Sequence, residues 1–155
     1  MKALKAVYNI LANDVNITST IYPQRIPEGV SLPAIVISQI SRLAYDTKKE
    51  YAKSDLSRVQ ISVVAETATE VYTISELIRE AMSLDLPNSF NDVLVQNIAF
   101  DGEVTLTDDN ANEQGVFMVA QDYLVMFSNT VVASGYLLLE DGSFLLLEND
   151  DKIIL

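Results

Sequence analysis

The apolar and polar positions of the chain predict two helices. Near the N-terminus, four apolar residues share the spacing of one helical face: Leu4, Val7, Tyr8 and Leu11. The same periodicity returns over residues 69–84, where the apolar positions are Val71, Ile74, Leu77, Ile78, Ala81 and Met82. Thr67 and Glu70 stand three residues apart at the start of this stretch, which is the spacing of an N-terminal capping box. We therefore predict helices over residues 2–12 and 69–84, each with one buried face.

Strand-like patterns fill most of the remaining chain. The alternation is clearest over residues 55–65, where the apolar positions on one face are Val59, Ile61, Val63 and Ala65. Residues 34–41, 93–100 and 116–127 predict further strands, and Gln121 interrupts the apolar face of the last one. The dipeptide Asp101-Gly102 is typical of a tight hairpin turn, so the strand over 93–100 is expected to turn back there.

A proline-rich connector over residues 21–37 joins the first helix to the first of these strands. Pro23, Pro27 and Pro33 are three of the four prolines in the chain. Each proline fixes its own φ and favours extended geometry at the residue before it. We predict a stiff, non-helical connector with one flexible point at Gly29.

The last part of the chain has a different character. The sequence YLLLE over residues 136–140 recurs as FLLLE over 144–148, with Asp141-Gly142 between them. This pattern predicts a β-hairpin, and because a two-stranded ribbon is marginal alone in water, it should pack on the same chain or on a neighbour. The predicted fold is α+β: a small antiparallel or mixed sheet flanked by two helices over residues 1–127, with a C-terminal β-hairpin-like extension over 128–155.

Charge is distributed unevenly. The chain of 155 residues has a formal net charge of −12, and residues 101–155 contain 11 acidic residues and only one basic residue. Such a surface repels nucleic acid and argues against a phosphate-binding groove in this part. No segment is apolar and long enough for a membrane span or a signal peptide, so no membrane partner is expected.

The composition excludes several kinds of chemistry. The chain contains neither cysteine nor histidine, which removes disulfides, thiolate metal sites and a Ser-His-Asp triad. Residues 107–115 begin like a calcium loop, but Glu113 stands where glycine is needed and Val119 where glutamate is needed. A cluster of Glu148, Asp150 and Asp151 has no neighbouring base or apolar pocket, so a charged turn is the stronger interpretation. We expect no enzyme activity, no cofactor and no metal site.

Half of the basic residues lie close together in the sequence. They are Arg42, Lys48, Lys49, Lys53 and Arg58, with Tyr45 and Tyr51 between them. Residues 42–54 are predicted to form a long loop or a hairpin tip. These cations could contact the acidic C-terminal third of a neighbouring subunit or a partner protein, remain a solvated hairpin tip, or contact passing DNA, in that order of preference.

The order of these segments resembles the tail-completion or tail-terminator proteins of long-tailed bacteriophages. The matching pieces, within residues 2–127, are Ile21-Tyr22-Pro23, Pro33-Ala34-Ile35-Val36, Arg58-Val59-Gln60-Ile61-Ser62-Val63, the helix from Thr69, Gly115-Val116-Phe117 and Asp122-Tyr123-Leu124-Val125. The residues after Phe127 depart from the family pattern.

The resemblance implies a virion protein that is assembled in the host cytoplasm and located at the junction of head and tail. It would form a homo-oligomeric ring, usually a hexamer, at the head-proximal end of the tail tube. There it would end tail polymerisation and join the tube protein to the head-completion or connector protein, with DNA only as passing cargo.

Two sets of residues are candidates for these contacts. The candidate subunit or partner contacts are Arg42, Tyr45, Lys48, Lys49, Tyr51, Lys53, Asp108, Asp109 and Glu113. For the cations among them, the partner protein would be a tail-tube protein. Acidic residues facing the channel would keep DNA from adhering to its wall, and the candidates are Asp101, Glu103 and Asp122. The alternative function is an intracellular adaptor that binds a partner strand by β-augmentation. A carboxylate-dependent hydrolase ranks last.

Overall fold

A computed structural model describes residues 2–44, 54–108 and 116–128 of the chain. Within these residues there are two helices, α1 (Lys2–Asn13) and α2 (Ala68–Ala81). The strands are β1 (Thr20–Pro23), β2 (Ala34–Ala44), β3 (Ser54–Ala65), β4 (Asn88–Phe90), β5 (Val93–Asp108) and β6 (Val116–Ser128). The predicted extension over 128–155 lies outside the described residues apart from Ser128. The α+β class is confirmed.

The six strands form one mixed sheet in the order β1-β2-β3-β6-β5-β4. Only the β1–β2 pair is parallel, whereas β2, β3, β6, β5 and β4 pair antiparallel with their neighbours. β3 pairs with β6 along twelve residues, from Ser54 opposite Ser128 to Ala65 opposite Phe117. These two strands are therefore the centre of the sheet.

Both helices pack on one face of the sheet. The alternate residues of β3 that the sequence predicted to be buried are buried, and side chains of α1 and α2 share one core with them: Ala3, Leu4, Val7, Leu11, Val71, Ile78, Val59, Ile61, Val63, Val119, Val125 and Phe127. We call the opposite side of the sheet, which carries Arg58, Gln60 and Asp122, the open face. Neither described helix covers it.

The helices differ in detail from the predictions. In α1, Tyr8 is exposed, and the buried face is completed by Ala3, Ala6 and Ile10. In α2, the Thr67 side chain accepts a hydrogen bond from the Glu70 N–H at 3.3 Å, which confirms Thr67 as the N-cap. This helix ends at Ala81 rather than at residue 84. No helix among the described residues is long and apolar enough to cross a membrane.

The predicted turn at Asp101-Gly102 is wrong. β5 continues through both residues, and Gly102 pairs with Asp122 of β6. The register shifts between Phe100 and Gly102, so that Asp101 occupies a β-bulge. A glycine within a strand often marks a bulge, just as it often marks a hairpin turn. The observed hairpin turn joins β4 to β5 at Asn91 and Asp92, whose φ values are 48° and 62°.

The proline connector contains a strand that the sequence did not predict. Residues 20–23 form β1, which pairs in parallel with the start of β2, from Thr20 opposite Ala34 to Pro23 opposite Ile37. Gly29 lies between these strands with φ of 77°. β2 also extends beyond its predicted end to Ala44. The connector therefore places an edge strand on the sheet as well as joining helix and sheet.

Candidate functional site

A polar cluster spans three strands at the middle of the open face. Arg58 of β3 donates to Asp101 of β5, and its Nε lies 3.9 Å from Oδ2 of Asp122 of β6. Gln60 donates to Oδ1 of Asp122 at 3.0 Å. All of these carboxylate and guanidinium groups are partly exposed, so each ion pair contributes at most about 1 kcal/mol to stability. The cluster instead fixes the charged side chains at defined places on this face.

A second ion pair lies at the end of the sheet where β2 finishes and β3 begins, on the side of the helices. Arg42 donates to Asp55, whose residue surface is only 3% exposed. The guanidinium carbon of Arg42 also lies 5.6 Å from the centre of the Phe127 ring, which is within cation–π range. A nearly buried carboxylate needs such a partner. Arg42, a predicted subunit contact, thus has a structural role within its own chain.

Gln121 and Tyr123 form a buried polar network between the sheet and α2. The Tyr123 hydroxyl donates to Oε1 of Gln121 at 2.8 Å. Nε2 of Gln121 donates to the Ser75 carbonyl at 3.1 Å and to Glu103 at 2.8 Å. Gln121 interrupts the apolar face of β6, as the sequence indicated, and the network satisfies its amide in the core.

Burial raises the pKa of the Tyr123 hydroxyl far above its ordinary value. The positive charge of Arg79 opposes this rise in pKa, while Glu103 and Glu76 add to it. Arg79 also stacks on Phe100, with its guanidinium carbon 3.8 Å from the ring centre, and Phe100 packs edge-on against Tyr123 at 5.6 Å. The phenol therefore remains a protonated donor near neutral pH, which is a structural role.

Apart from Arg42 in β2 and Asp108 at the end of β5, the predicted contact residues belong to two connectors at opposite ends of the sheet. Tyr45, Lys48, Lys49, Tyr51 and Lys53 lie outside the described residues, in the β2–β3 connector between Ala44 and Ser54. Ser54 pairs with Ser128, whereas at the other end of the same two strands Ala65 pairs with Phe117. The β5–β6 connector leaves the sheet at that second end.

That second connector runs from Asp108 to Val116. Asp108 is the last residue of β5, while Asp109 and Glu113 lie outside the described residues. Twelve paired residues of β3 and β6 separate the two ends, which at 3.3 Å per residue places the strand ends from which the connectors leave roughly 35 Å apart. The lysine-rich connector and the acidic connector therefore leave opposite ends of the sheet.

The three predicted channel-facing acids do not lie on one face. Asp101 and Asp122 belong to the polar cluster of the open face. Glu103 pairs with Gln121 in the β5–β6 ladder and accepts its amide hydrogen bond, so it lies on the side of the helices. Sequence reasoning missed the Arg58 cluster, because it depends on strand register. The signal for it is that Arg58 and Gln60 alternate with buried residues on one strand.

Two clefts lie among the described residues, and neither is lined by more than one charged side chain. No three acidic side chains in the part of the chain that the structure describes lie close enough to hold a metal ion. One cleft of about 260 Å³ lies between the loop after α1 and α2, and its only charged lining residue is Glu70. A second cleft of about 250 Å³, between the end of α1 and Phe90, has only Asp14. A single carboxylate without a neighbouring base or cation does not form a reactive site.

Comparisons with known proteins agree with a structural role. A solved structure described as the "Virion of native gene transfer agent (GTA) particle" contains a chain with a similar fold. Its TM-score is 0.59 at 13% sequence identity, and the match covers 83% of this chain and 94% of that one. No curated protein sequence matches. The sequence profile of a family described as "Tail completion protein gp17" matches residues 5–124. Because this match covers most of the chain, the protein belongs to the tail completion protein gp17 family and is a structural protein of the bacteriophage tail.

Proposed function

We propose that this protein forms a closed ring of six subunits at the head-proximal end of the tail tube. The ring ends tube polymerisation with one surface and binds the head connector with the other. The family match over residues 5–124 carries this proposal, and the fold shared with a chain of a virion particle supports it. The proposed partners are further copies of the chain, the tail tube protein and the head-completion protein.

The distribution of charge supports a ring built from one repeated contact. A cyclic ring requires two different complementary patches on each subunit, because each copy binds the next in the same orientation. The β2–β3 connector contains three lysines and two acidic residues, whereas Asp108, Asp109 and Glu113 in and beside the β5–β6 connector are all acidic. Since these connectors leave opposite ends of the sheet, the lysines of one subunit can meet the acids of the next.

The mechanism is binding without catalysis. The proposed ring presents side chains at fixed positions on a rigid sheet, and its connectors carry recognition, as loops on rigid scaffolds commonly do. Asp101 and Asp122 on the open face are the stronger candidates for a channel wall that repels DNA, although Arg58 offsets part of their charge. Glu103 is the weaker candidate, because it lies on the side of the helices.

Charge reversal tests the contact between subunits. One variant carries Lys48→Glu, Lys49→Glu and Lys53→Glu, a second carries Asp109→Lys and Glu113→Lys, and a third combines all five. Each partial variant should assemble at least about tenfold less well by light scattering, because like charges then meet across the contact, and the combined variant should recover assembly.

A control variant carries Lys5→Glu and Arg25→Glu, at exposed residues outside both connectors, and should leave assembly unchanged. Failure of the combined variant to recover would reject this pairing of connectors. A wild-type chain that stays monomeric at all concentrations, both alone and with purified tail tubes, would reject the ring itself.

A further inference from the structure

The outer edge of β5 is unpaired along most of its length within the described residues. β4 pairs only with Val93, Leu94 and Val95, although β5 continues to Asp108. We call residues 97–106 on the side away from β6 the β5 outer edge. About half of the backbone N–H and C=O groups there point away from β6, and such an edge readily accepts another strand.

The β5 outer edge is apolar on both faces of the sheet. Phe100, on the side of the helices opposite Tyr123, is 39% exposed. On the open face, Val104 and Leu106 lie opposite Ala120 and Met118 and are 59% and 50% exposed. No residue from 96 to 106 is buried, although the β6 residues 119–121, 123 and 125 beside them are. A strand added here would contact apolar side chains on both faces of the sheet. The best match is therefore a strand that is itself apolar on both faces.

The sequence contains a segment suited to form such a strand. Residues 144–147 read FLLL, following the same pattern at 136–139, so successive side chains on both faces of either strand are apolar. The acidic residues of this segment are confined to its turn and its end: Glu140, Asp141 and Glu148. The apolar centre can therefore pack without burying a charge.

The position of Ser128 makes this edge accessible to the same chain. β6 ends at Ser128, next to Phe127, which pairs with Val95, two residues before the unpaired stretch begins. A strand paired with the β5 outer edge lies two strand spacings from β6, at about 10 Å, and the first strand of the hairpin lies three spacings away, at about 14 Å. Residues 129–135 can span up to roughly 25 Å. A hairpin over 136–148 can thus extend along β5 with its second strand antiparallel to it.

We propose that residues 144–148 of the C-terminal hairpin pair with the β5 outer edge of their own chain. This extends the sheet beyond β5, covers Phe100, Val104 and Leu106, and removes an aggregation-prone edge. The segment is tethered to its own chain by only seven residues, which gives it a millimolar effective concentration at this edge. Pairing within one chain is therefore favoured over pairing with a second copy. The inference is independent of the proposed ring.

Cysteine pairs test the contact directly, because the natural chain contains no cysteine that could compete. Three full-length variants combine Val104→Cys with Leu145→Cys, Leu146→Cys or Leu147→Cys. At least one should form an intrachain disulfide under mild oxidation, at a rate independent of protein concentration. The matched control moves the edge cysteine to Val15, which is 89% exposed and lies after α1, and should cross-link at least about tenfold more slowly.

A disulfide that forms only between chains would overturn the proposal in favour of a second copy on this edge. Equal cross-linking from Val104 and Val15 would overturn it too, since the segment would then have no preferred site.

Hydrogen exchange provides a second measurement that needs no disulfide. In the wild-type chain, amides within residues 97–106 should be protected, and Leu146→Lys should raise their exchange at least about tenfold while β3 and β6 amides stay protected. Retained protection of β3 and β6 shows that the variant is folded. Unchanged exchange over 97–106 in that folded variant would overturn the proposal.

Discussion

Tyr123 illustrates how single residues of this protein combine polarity with burial. Its ring lies within the core, and its hydroxyl donates to Gln121, which in turn donates to Ser75 and Glu103. Because the network joins β6 to α2 and β5, its members connect the sheet to the helix above it. A polar group in this setting is stabilising only while every member of the network keeps its partner.

Tyr123→Phe should therefore destabilise the chain by roughly 1–2 kcal/mol at pH 8, because Oε1 of Gln121 loses its donor while remaining buried. Below the ordinary pKa of tyrosine, near 10, the phenol is protonated in both the folded and the unfolded state. Ionisation of Tyr123 therefore does not change the unfolding free energy of the wild type in that range. Above that pH, the unfolded state loses the proton while the folded state keeps it, because burial raises the pKa of Tyr123. The stability of the wild type must then fall as pH rises.

The variant lacks this ionisation, so the difference in unfolding free energy between the two proteins should shrink by about 1 kcal/mol between pH 8 and pH 11. Urea unfolding at both pH values measures it. The other tyrosines and lysines are common to both proteins and cancel in the difference. A gap that stays constant across this range would show that the Tyr123 phenol ionises equally readily in the folded and unfolded states.

At the scale of elements, the sequence predicts best those features that depend only on residues close together in the chain. The alternation of β3 and the N-cap at Thr67 can be predicted from the sequence, because both depend on neighbours in the chain. The dipeptide Asp101-Gly102 misleads, because a bulge and a hairpin turn favour the same residues and only the ladder with β6 distinguishes them. β1 could not be predicted, since four residues become a strand only through parallel pairing with β2.

The same limit applies to the candidate site. The Arg58 cluster combines residues of β3, β5 and β6 that are up to 64 positions apart, so its existence depends on register. The sequence could show that Arg58 and Gln60 lie on one strand face, but not which carboxylates lie opposite them. Glu103 was grouped with Asp101 and Asp122 for its charge, and the bulge places it on the other side of the sheet.

Two glycines provide a matched test of the elements that contain them. A methyl group added at either Gly29 or Gly102 would meet no atom within 4 Å, but only Gly29 has positive φ, at +77°. Gly29→Ala should cost roughly 1 kcal/mol, because the left-handed strain exceeds the entropy gained by restricting the unfolded chain. Gly102→Ala should be neutral or stabilising by up to about 1 kcal/mol.

Thermal or urea unfolding of both variants measures this contrast. Equal effects would mean that the proline connector tolerates a different backbone at residue 29, and that its conformation is not fixed by this glycine.

For the whole molecule, the arrangement of charge is the feature that connects fold to assembly. The acidic residues are concentrated in the C-terminal third of the sequence, yet the fold places the lysine-rich and acidic connectors at opposite ends of one sheet. Net charge of −12 alone would keep subunits apart. In the proposed ring, a repeated contact between opposite ends would overcome this repulsion locally and would give each subunit a defined orientation.

This arrangement predicts how assembly of the proposed ring responds to salt. Charges on exposed connectors are screened over about 10 Å at 0.1 M ionic strength and over about 3 Å at 1 M. Raising NaCl from 50 mM to 500 mM should therefore weaken assembly of the wild type, with roughly a tenfold rise in the dissociation constant measured by light scattering or sedimentation. The variant Lys48→Gln, Lys49→Gln, Lys53→Gln should assemble more weakly at low salt and respond much less to added salt. Assembly of the wild type that strengthens with salt would instead indicate an apolar contact between subunits, because high salt leaves hydrophobic association intact while it screens the overall negative charge.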